Sequence, residues 1–345
     1  MESIKILHTG DLHLTDKKGD VQAKVFSKII SIAKREAVDA LLIAGDLFDY
    51  AFGDMSEKSY MASMLSQIPD IPVFMVTGNH DNLSFYKDIQ LPENVHLFGN
   101  EIDKVSLGKC DIYGVSFKDS KSDESLIKDF HVEDDSRINI LLMHGDLDSV
   151  SSYNPITPKE LAQTGADYVA LGHIHTSKGV GKVGSTFYAY CGTPQGRGFD
   201  ELGTKGVLLG QVHKGFVELE MVPTSEYTYE EIELDISGLE DYNQIAKRIR
   251  DNTSSNNYYK IHLIGNFAGG FNLNCDRIIN LLEEYPVVKL YDETGTDYDI
   301  NSIRQEQTLR GFFVNALADD PEATEAIKLG LMALDGKDIS LGDDK

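Results

Sequence analysis

Five short segments of the 345-residue chain carry residue types that hold metal ions and move protons: Asp11-Leu12-His13, Gly45-Asp46-Leu47-Phe48-Asp49, Gly78-Asn79-His80-Asp81, His144-Gly145 and Gly172-His173-Ile174-His175. Two Asp, one Asn and four His from these segments make an oxygen and nitrogen donor set with no thiolate. Such a set suits manganese, iron or zinc and argues against a structural cysteine-zinc site. It is too large for one tetrahedral ion and right for two ions sharing a carboxylate. Asp46, central in the series, is the natural bridge. Two ions about 3.5–4 Å apart clamp the attacking and leaving oxygens of an in-line phosphoryl displacement. A water between them becomes acidic enough to attack.

These segments need a scaffold that delivers them to one place. Each follows a predicted strand, at 4–8, 39–44, 71–76, 138–143 and 167–171. Continuous Val/Ile/Leu runs of this length read as strands buried on both faces. In α/β sheets the C-terminal strand ends are where ligands bind, and glycine beside them permits sharp turns. Val21, Val25, Ile29 and Ile32 recur at helical spacing and predict a helix over 20–36. Further strands are expected at 186–191, 206–212 and 216–222. The fold class is α/β: a layered sandwich over 1–223, with two sheets and helices outside. Near Pro223 the texture changes. Strands at 226–236, 257–264 and 287–291 alternate with helices at 240–252 and 274–284, which predicts a small α/β domain over 224–300. A helical tail over 301–345 follows, with helices at 303–317 and 321–334. The second is expected to open with Asp320 as cap and Pro321 in its first turn.

Composition bounds the function. Hydrophobic residues are 41% and charged residues 26%, an ordinary globular mix. The formal net charge of -24 is wrong for a protein that grips nucleic acid with a basic stripe. No apolar run approaches the ~18 residues of a membrane helix. The start MESIKILHTGDLHL reads without a signal-peptide core. Three scattered cysteines suit a reducing compartment, so a cytoplasmic protein, nucleoid-associated at most, is expected.

D-x-H, G-D-x-x-D, G-N-H-D, H-G and G-H-x-H, in this order, resemble the calcineurin-like metallophosphoesterases over roughly residues 4–215. The resemblance implies a four-layer sandwich of two mixed sheets flanked by helices. It places one metal on Asp11, His13, Asp46 and His175 and the other on Asp46, Asn79, His144 and His173. His80 becomes a non-ligand acid at the leaving oxygen, oriented by Asp81. Asp49 has either a role behind the metals or toward substrate, or that of a local cap.

The segment Tyr190-Cys191-Gly192-Thr193-Pro194-Gln195-Gly196-Arg197-Gly198-Phe199-Asp200-Glu201, then Lys205-Gly206-Val207, looks like the DNA-repair nuclease branch, the SbcD-type exonuclease subunit and its relatives. The tail Thr308-Leu309-Arg310-Gly311-Phe312-Phe313-Val314 is similar to the end of short SbcD-like proteins. That branch implies a DNA exonuclease or endonuclease with two divalent ions, manganese (Mn2+) first and iron, zinc or magnesium as alternatives. It also implies a homodimer, an SbcC-type coiled-coil ATPase bound through C-terminal helices, and no membrane. Hydrophobic positions on helix 20–36 and near 56–68 are candidates for the dimer contact. Two departures stand out. Asp49 occupies a position where archaeal and eukaryotic relatives commonly carry His. The second domain and the tail are short and acidic, with 6 Lys+Arg against 15 Asp+Glu over 225–300 and 5 against 9 over 301–345.

Other residues carry open alternatives. Arg197 is either a phosphate clamp or a loop arginine paired with Asp200 or Glu201. Tyr258, Tyr259 and Lys260 offer stacking and charge to single strands, or simply pack in a strand. Leu309, Phe312, Phe313 and Leu317 form either a partner surface or an inward stripe. His8 reads as a core histidine, and His96, His131, His213 and His262 as ordinary strand or surface residues. The competing functions are a phosphoesterase of nucleotides or phosphoproteins and a silent scaffold of the same fold.

Overall fold

The computed structural model describes residues 2–15, 20–49, 55–239, 241–268, 273–283, 285–320 and 322–336. The chain divides into two compact units, 1–228 and 229–345.

The first unit is built on two six-stranded mixed sheets. One runs, edge to edge, through Phe216–Pro223, Gly206–His213, Ser3–Thr9, Ala40–Ala44, Val73–Val76 and Val95–Leu97. The other runs through Gly181–Val183, Thr186–Tyr190, Tyr168–Gly172, Ile138–His144, Cys110–Val115 and Asp103–Leu107. The strands that lead into the chemistry-bearing segments are parallel within each sheet, Ser3–Thr9 with Ala40–Ala44 and Val73–Val76, and Ile138–His144 with Tyr168–Gly172.

Alternation along each strand decides the layering. Ile4, Ile6, Ala40, Leu42 and Ala44 pack between the sheets with Ile112, Ile140, Leu142, Tyr168 and Ala170. The opposite faces of the same strands, Leu7, Leu41, Ile43, Val73 and Met75, pack on Val25, Phe26, Ile29, Ile32, Met61 and Leu65 of the helices Val21–Arg35 and Met55–Leu65. Asp20 starts the first of these helices by accepting from the Val21 amide at 2.6 Å. Each fully buried Ile or Leu contributes roughly 1.5–3 kcal/mol, so Ile29→Ala would cost about 2–5 kcal/mol.

The four layers are therefore those expected, with two corrections. Over the second sheet the outer layer is the short helix Pro158–Gln163 and irregular chain, with Leu161, Ile127 and Ile156 covering Leu141, Met143, Val169 and Leu171. The positions considered for dimer contact, Val25, Ile29, Ile32, Met61, Met64 and Leu65, are spent on the core.

The second unit holds three parallel strands, Tyr229–Asp235, Tyr258–Ile264 and Val287–Asp292. The helices Tyr242–Asn252 and Cys275–Leu281 supply Ile245, Ile249 and Ile278 to a core with Leu234, Ile261, Leu263 and Leu290. Tyr259 is buried there, whereas Tyr258 stacks on Tyr229 with centroids 5.1 Å apart. The expected helix 303–317 is two helices, Ile300–Arg304 and Leu309–Leu317. Thr308 breaks the run by capping the Gly311 amide. The last helix begins at Thr324 with no side-chain cap, and Pro321 lies outside the described residues. The apolar stripe splits: Phe313 and Leu317 pack on Val314, Ile327 and Leu331, while Leu309 and Phe312 are exposed.

Candidate metal centre

Beyond the parallel strand ends the chain continues as paired loops. The amides of Asp11, His13 and Leu14 donate to the carbonyls of Gly45, Asp46 and Leu47 at 3.0, 3.1 and 2.8 Å. This forces Asp11, His13 and Asp46 into the left-handed region, with φ of 48°, 50° and 47°, and His173 has φ 100°. Non-glycine residues held there store strain, and such strain clusters at functional sites. Two glycines permit the approach. A Cβ on Gly78 would lie 2.1 Å from Asp46 Oδ1, and one on Gly172 would lie 2.0 Å from the Ala44 carbonyl oxygen.

Asp11, His13, Asp46 and His144 are buried. Asp11, His13 and His175 bring one donor atom each to a common point, as do Asp11, Asp46 and His144, and His13, Asp46 and His80. His13 Nε2 and His175 Nε2 are 3.3 Å apart. His144 Nε2 lies 3.3 Å from Asp46 Oδ2 and 3.0 Å from Asn79 Oδ1. His173 does not enter these three-residue groups. Its ring packs on His144 and Tyr153, and its amide donates to both Asp11 oxygens at 3.0 and 3.1 Å.

Two of the three nitrogens turned away from the centre are hydrogen-bonded, and the third stands within ion-pair distance of a carboxylate. His144 Nδ1 donates to the Ala44 carbonyl at 2.8 Å, and His175 Nδ1 donates to Glu201 Oε1 at 2.5 Å. His13 Nδ1 lies 3.2 Å from Asp49 Oδ1. An imidazole whose far nitrogen is tied in this way presents its other lone pair to a metal. The donor set thus fits divalent cations, with Asp11, His13, Asp46, His144 and His175 among the residues whose donor atoms converge.

The charge balance agrees. Burial raises the Asp11 carboxyl and works against charge on Asp46, but the His144 imidazole holds Asp46 below the usual carboxylate range. Burial opposes a proton on His144, yet Asp46 outweighs it and pushes the ring up to about 9. A field that draws a proton onto a buried imidazole also draws a dication. Burial, then the neighbouring His144, pushes His173 down to about 4, which keeps its ring neutral.

Asp81 is corrected. Its carboxylate is fully buried and accepts the amides of Asp46, Leu47 and Gly78 at 3.2, 2.8 and 2.9 Å and the Tyr86 hydroxyl at 2.7 Å. It braces the Asp46 loop. The His80 ring instead donates from Nδ1 to the Asp49 carbonyl at 2.8 Å, and its amide donates to Asp46 Oδ1 at 2.9 Å. Successive residues in a tight turn point apart, so sequence adjacency was a poor guide to the orienting group. Arg197 pairs with Asp49 at 3.2 Å and Glu201 at 3.7 Å, not with Asp200. His8 is a core residue, buried on the Tyr168 hydroxyl at 2.8 Å and held neutral by burial.

Sequence reasoning missed what residues 190–201 do. Glu201 anchors His175. The Thr193 hydroxyl donates to the Asp11 carbonyl at 3.0 Å, and its amide donates to the His175 carbonyl at 3.1 Å. The Tyr190 hydroxyl donates to the Gly145 carbonyl at 3.0 Å and accepts the Leu147 amide at 2.8 Å. The signal was the glutamate ending a glycine-rich turn after G-H-x-H, visible only as a family signature.

Residues 4–177 match the family described as calcineurin-like phosphoesterase. The chain is 27% identical to the uncharacterized metallophosphoesterase YhaO of Bacillus subtilis, over 74% of this chain and 68% of that one. It is 24% identical to the SbcD component of the nuclease SbcCD of Staphylococcus saprophyticus, over 88% and 94% respectively. It is 26% identical to the DNA double-strand break repair protein Mre11 of Saccharolobus solfataricus, over 55% of this chain and 54% of that relative, about half its length.

Proposed function

The chain belongs to the calcineurin-like phosphoesterase family, and from that premise we propose that it is a two-metal phosphodiesterase that cuts DNA in the manner of an SbcD-type nuclease. The observation that carries the hydrolase reading is the convergence of His13, His175 and His144 Nε2 with the Asp11 and Asp46 carboxylates. Bound there, two divalent cations, manganese in this reading, supply charge for the phosphoryl oxygens and acidify a water. Asp46 would be the carboxylate that serves both. His80 is fixed by the Asp49 carbonyl through Nδ1, and its imidazole is the acid that gives a proton to the leaving oxygen. Asp49 holds His80 through its carbonyl, and Asp81 braces the Asp46 loop.

The resemblance of residues 190–201 and the SbcCD and Mre11 relatives support the nuclease branch. The homodimer, the coiled-coil ATPase and a role in DNA repair are what that branch implies. Among the described residues no helix is long and apolar enough to cross a membrane. The net charge of -24 favours a second reading, a phosphoesterase acting on nucleotides or phosphoproteins.

One experiment separates the two. The manganese-loaded protein is incubated with labelled single- and double-stranded DNA, a small phosphodiester and a phosphomonoester. Cleavage of DNA and diester, lost with chelator and in His80→Ala, is expected. Monoester hydrolysis with intact DNA sinks the nuclease reading, and no hydrolysis of any substrate by well-metallated protein supports the scaffold.

A further inference from the structure

Behind the Asp11, His13 and His175 side of the centre lies a second set of charged groups. Glu201 is only 3% exposed. Its Oε1 takes the His175 Nδ1 proton at 2.5 Å and its Oε2 takes the Arg197 amide at 2.7 Å. The Arg197 guanidinium reaches both carboxylates, with Nη1 3.2 Å from Asp49 Oδ1 and Nε 3.7 Å from Glu201 Oε1. Asp49 Oδ1 lies 3.2 Å from His13 Nδ1, and the Asp49 carbonyl holds His80. One guanidinium therefore ties together the carboxylates behind both imidazoles of this side, and the same aspartate carries the acid.

We infer that Glu201, Arg197 and Asp49 are positioning residues that make the Asp11, His13 and His175 side the tighter of two cation sites. The inference rests on the two-cation reading above. A carboxylate behind an imidazole fixes the ring and raises its basicity as a ligand. Glu201 does this for His175 by a hydrogen bond, and the Asp49 carboxylate stands 3.2 Å from His13 Nδ1, whereas His144 has the neutral Ala44 carbonyl. Burying Glu201 unpaired would be costly, and His175, the Arg197 amide and the Arg197 guanidinium offset that cost. The array also assigns Arg197 a duty other than gripping phosphate. A phosphate clamp aims its guanidinium fork at the anion, whereas this one spends Nη1 on Asp49 and lies beside Glu201.

The test needs no substrate for its main readout. The full chain, stripped of metal, is titrated with MnCl2 by calorimetry and by electron paramagnetic resonance of free Mn2+. Two binding events are expected. Glu201→Gln keeps the size of the side chain and removes its charge. It should weaken the tighter event about 10–100-fold and leave the weaker event unchanged. Arg197→Gln should weaken the same event by less, and Arg197→Lys should restore part of the loss. Arg197 is partly exposed, so its variants carry the test if Glu201→Gln fails to fold.

Equal weakening of both events, or weakening of the looser one alone, overturns the inference. Unchanged Mn2+ affinity in Arg197→Gln with a raised KM for a small phosphodiester also overturns it and makes Arg197 the clamp. A wild-type protein that binds two ions but hydrolyses no DNA leaves the inference standing and removes the nuclease reading. A wild-type protein that binds no ion removes both.

Discussion

His175 and His144 face the same centre, yet what lies behind them differs. His175 rests on a carboxylate from a distant turn, Glu201, at 2.5 Å, and His144 rests on a main-chain carbonyl of the neighbouring sheet, Ala44, at 2.8 Å. The first brace is ionic and depends on side chains at 197–201. The second is built from the close approach of two sheets, which the glycines at 78 and 172 permit. A charge-braced side can be tuned by single substitutions that leave the fold intact. A backbone-braced side can be altered only by disturbing the sheets.

Changes at shared groups break the comparison most severely. Asp46→Ala removes the carboxylate proposed as common to both sides, and activity should fall to the level seen with chelator. Calorimetry should show no high-affinity Mn2+ uptake, and retention of both binding events would rule Asp46 out as the bridge. His80→Ala should leave both sides intact. It should lower kcat about 10²–10⁴-fold with unchanged Mn2+ binding, and a parallel loss of binding would mean that His80 is a ligand, as its nearness to His13 and Asp46 allows.

Gly172→Ala attacks the backbone-braced side first. The added methyl would meet the Ala44 oxygen at 2.0 Å and His144 Nδ1 at 2.9 Å. A stability loss of about 1–3 kcal/mol is expected from overpacking, read as a lower Tm in denaturation scans. An unchanged Tm would show that the sheets yield freely there.

The smallest effect is a pH dependence of the charge-braced side in chelator. Burial works against charge on Glu201, but its bond to His175 prevails and lowers its carboxyl below 4.5. Burial likewise opposes a proton on His175, but Glu201 prevails and raises the ring above 6.5. The depressed carboxyl contributes stability that is full above pH 4.5 and lost as pH falls through its folded value. The raised imidazole contributes stability that is full below pH 6.5 and lost as pH rises through its folded value. The Tm difference between wild type and Glu201→Gln should therefore be largest from pH 4.5 to 6.5 and shrink on both sides. A difference that is flat with pH would mean that the pair is not ionic in the folded protein.

Much of this centre was legible in the chain. The ligand types, their order and their placement after buried strands can be read because strand burial imposes continuous apolar runs and metal binding restricts side-chain chemistry. The helix over 20–36 was equally plain, since its apolar positions follow the helical period. The tail was less so. Leu309 to Leu317 continue the periodicity of residues 303–308, and a single capping threonine, Thr308, decides that the helix stops and restarts. Asp81 misled for a related reason. Its neighbour His80 suggested a pair, but a turn sends the two side chains to different partners.

The sequence by itself determined which side-chain types follow the buried strands: carboxylates, an amide and imidazoles without a thiolate, and the glycines that let strands approach. Only the tertiary structure decided which groups stand behind those side chains. Glu201 is 26 residues from His175, and Arg197 is 148 residues from Asp49. Ion pairs and hydrogen bonds of this kind depend on distances of a few ångströms, and sequence separation carries no information about such distances until the sheets have packed.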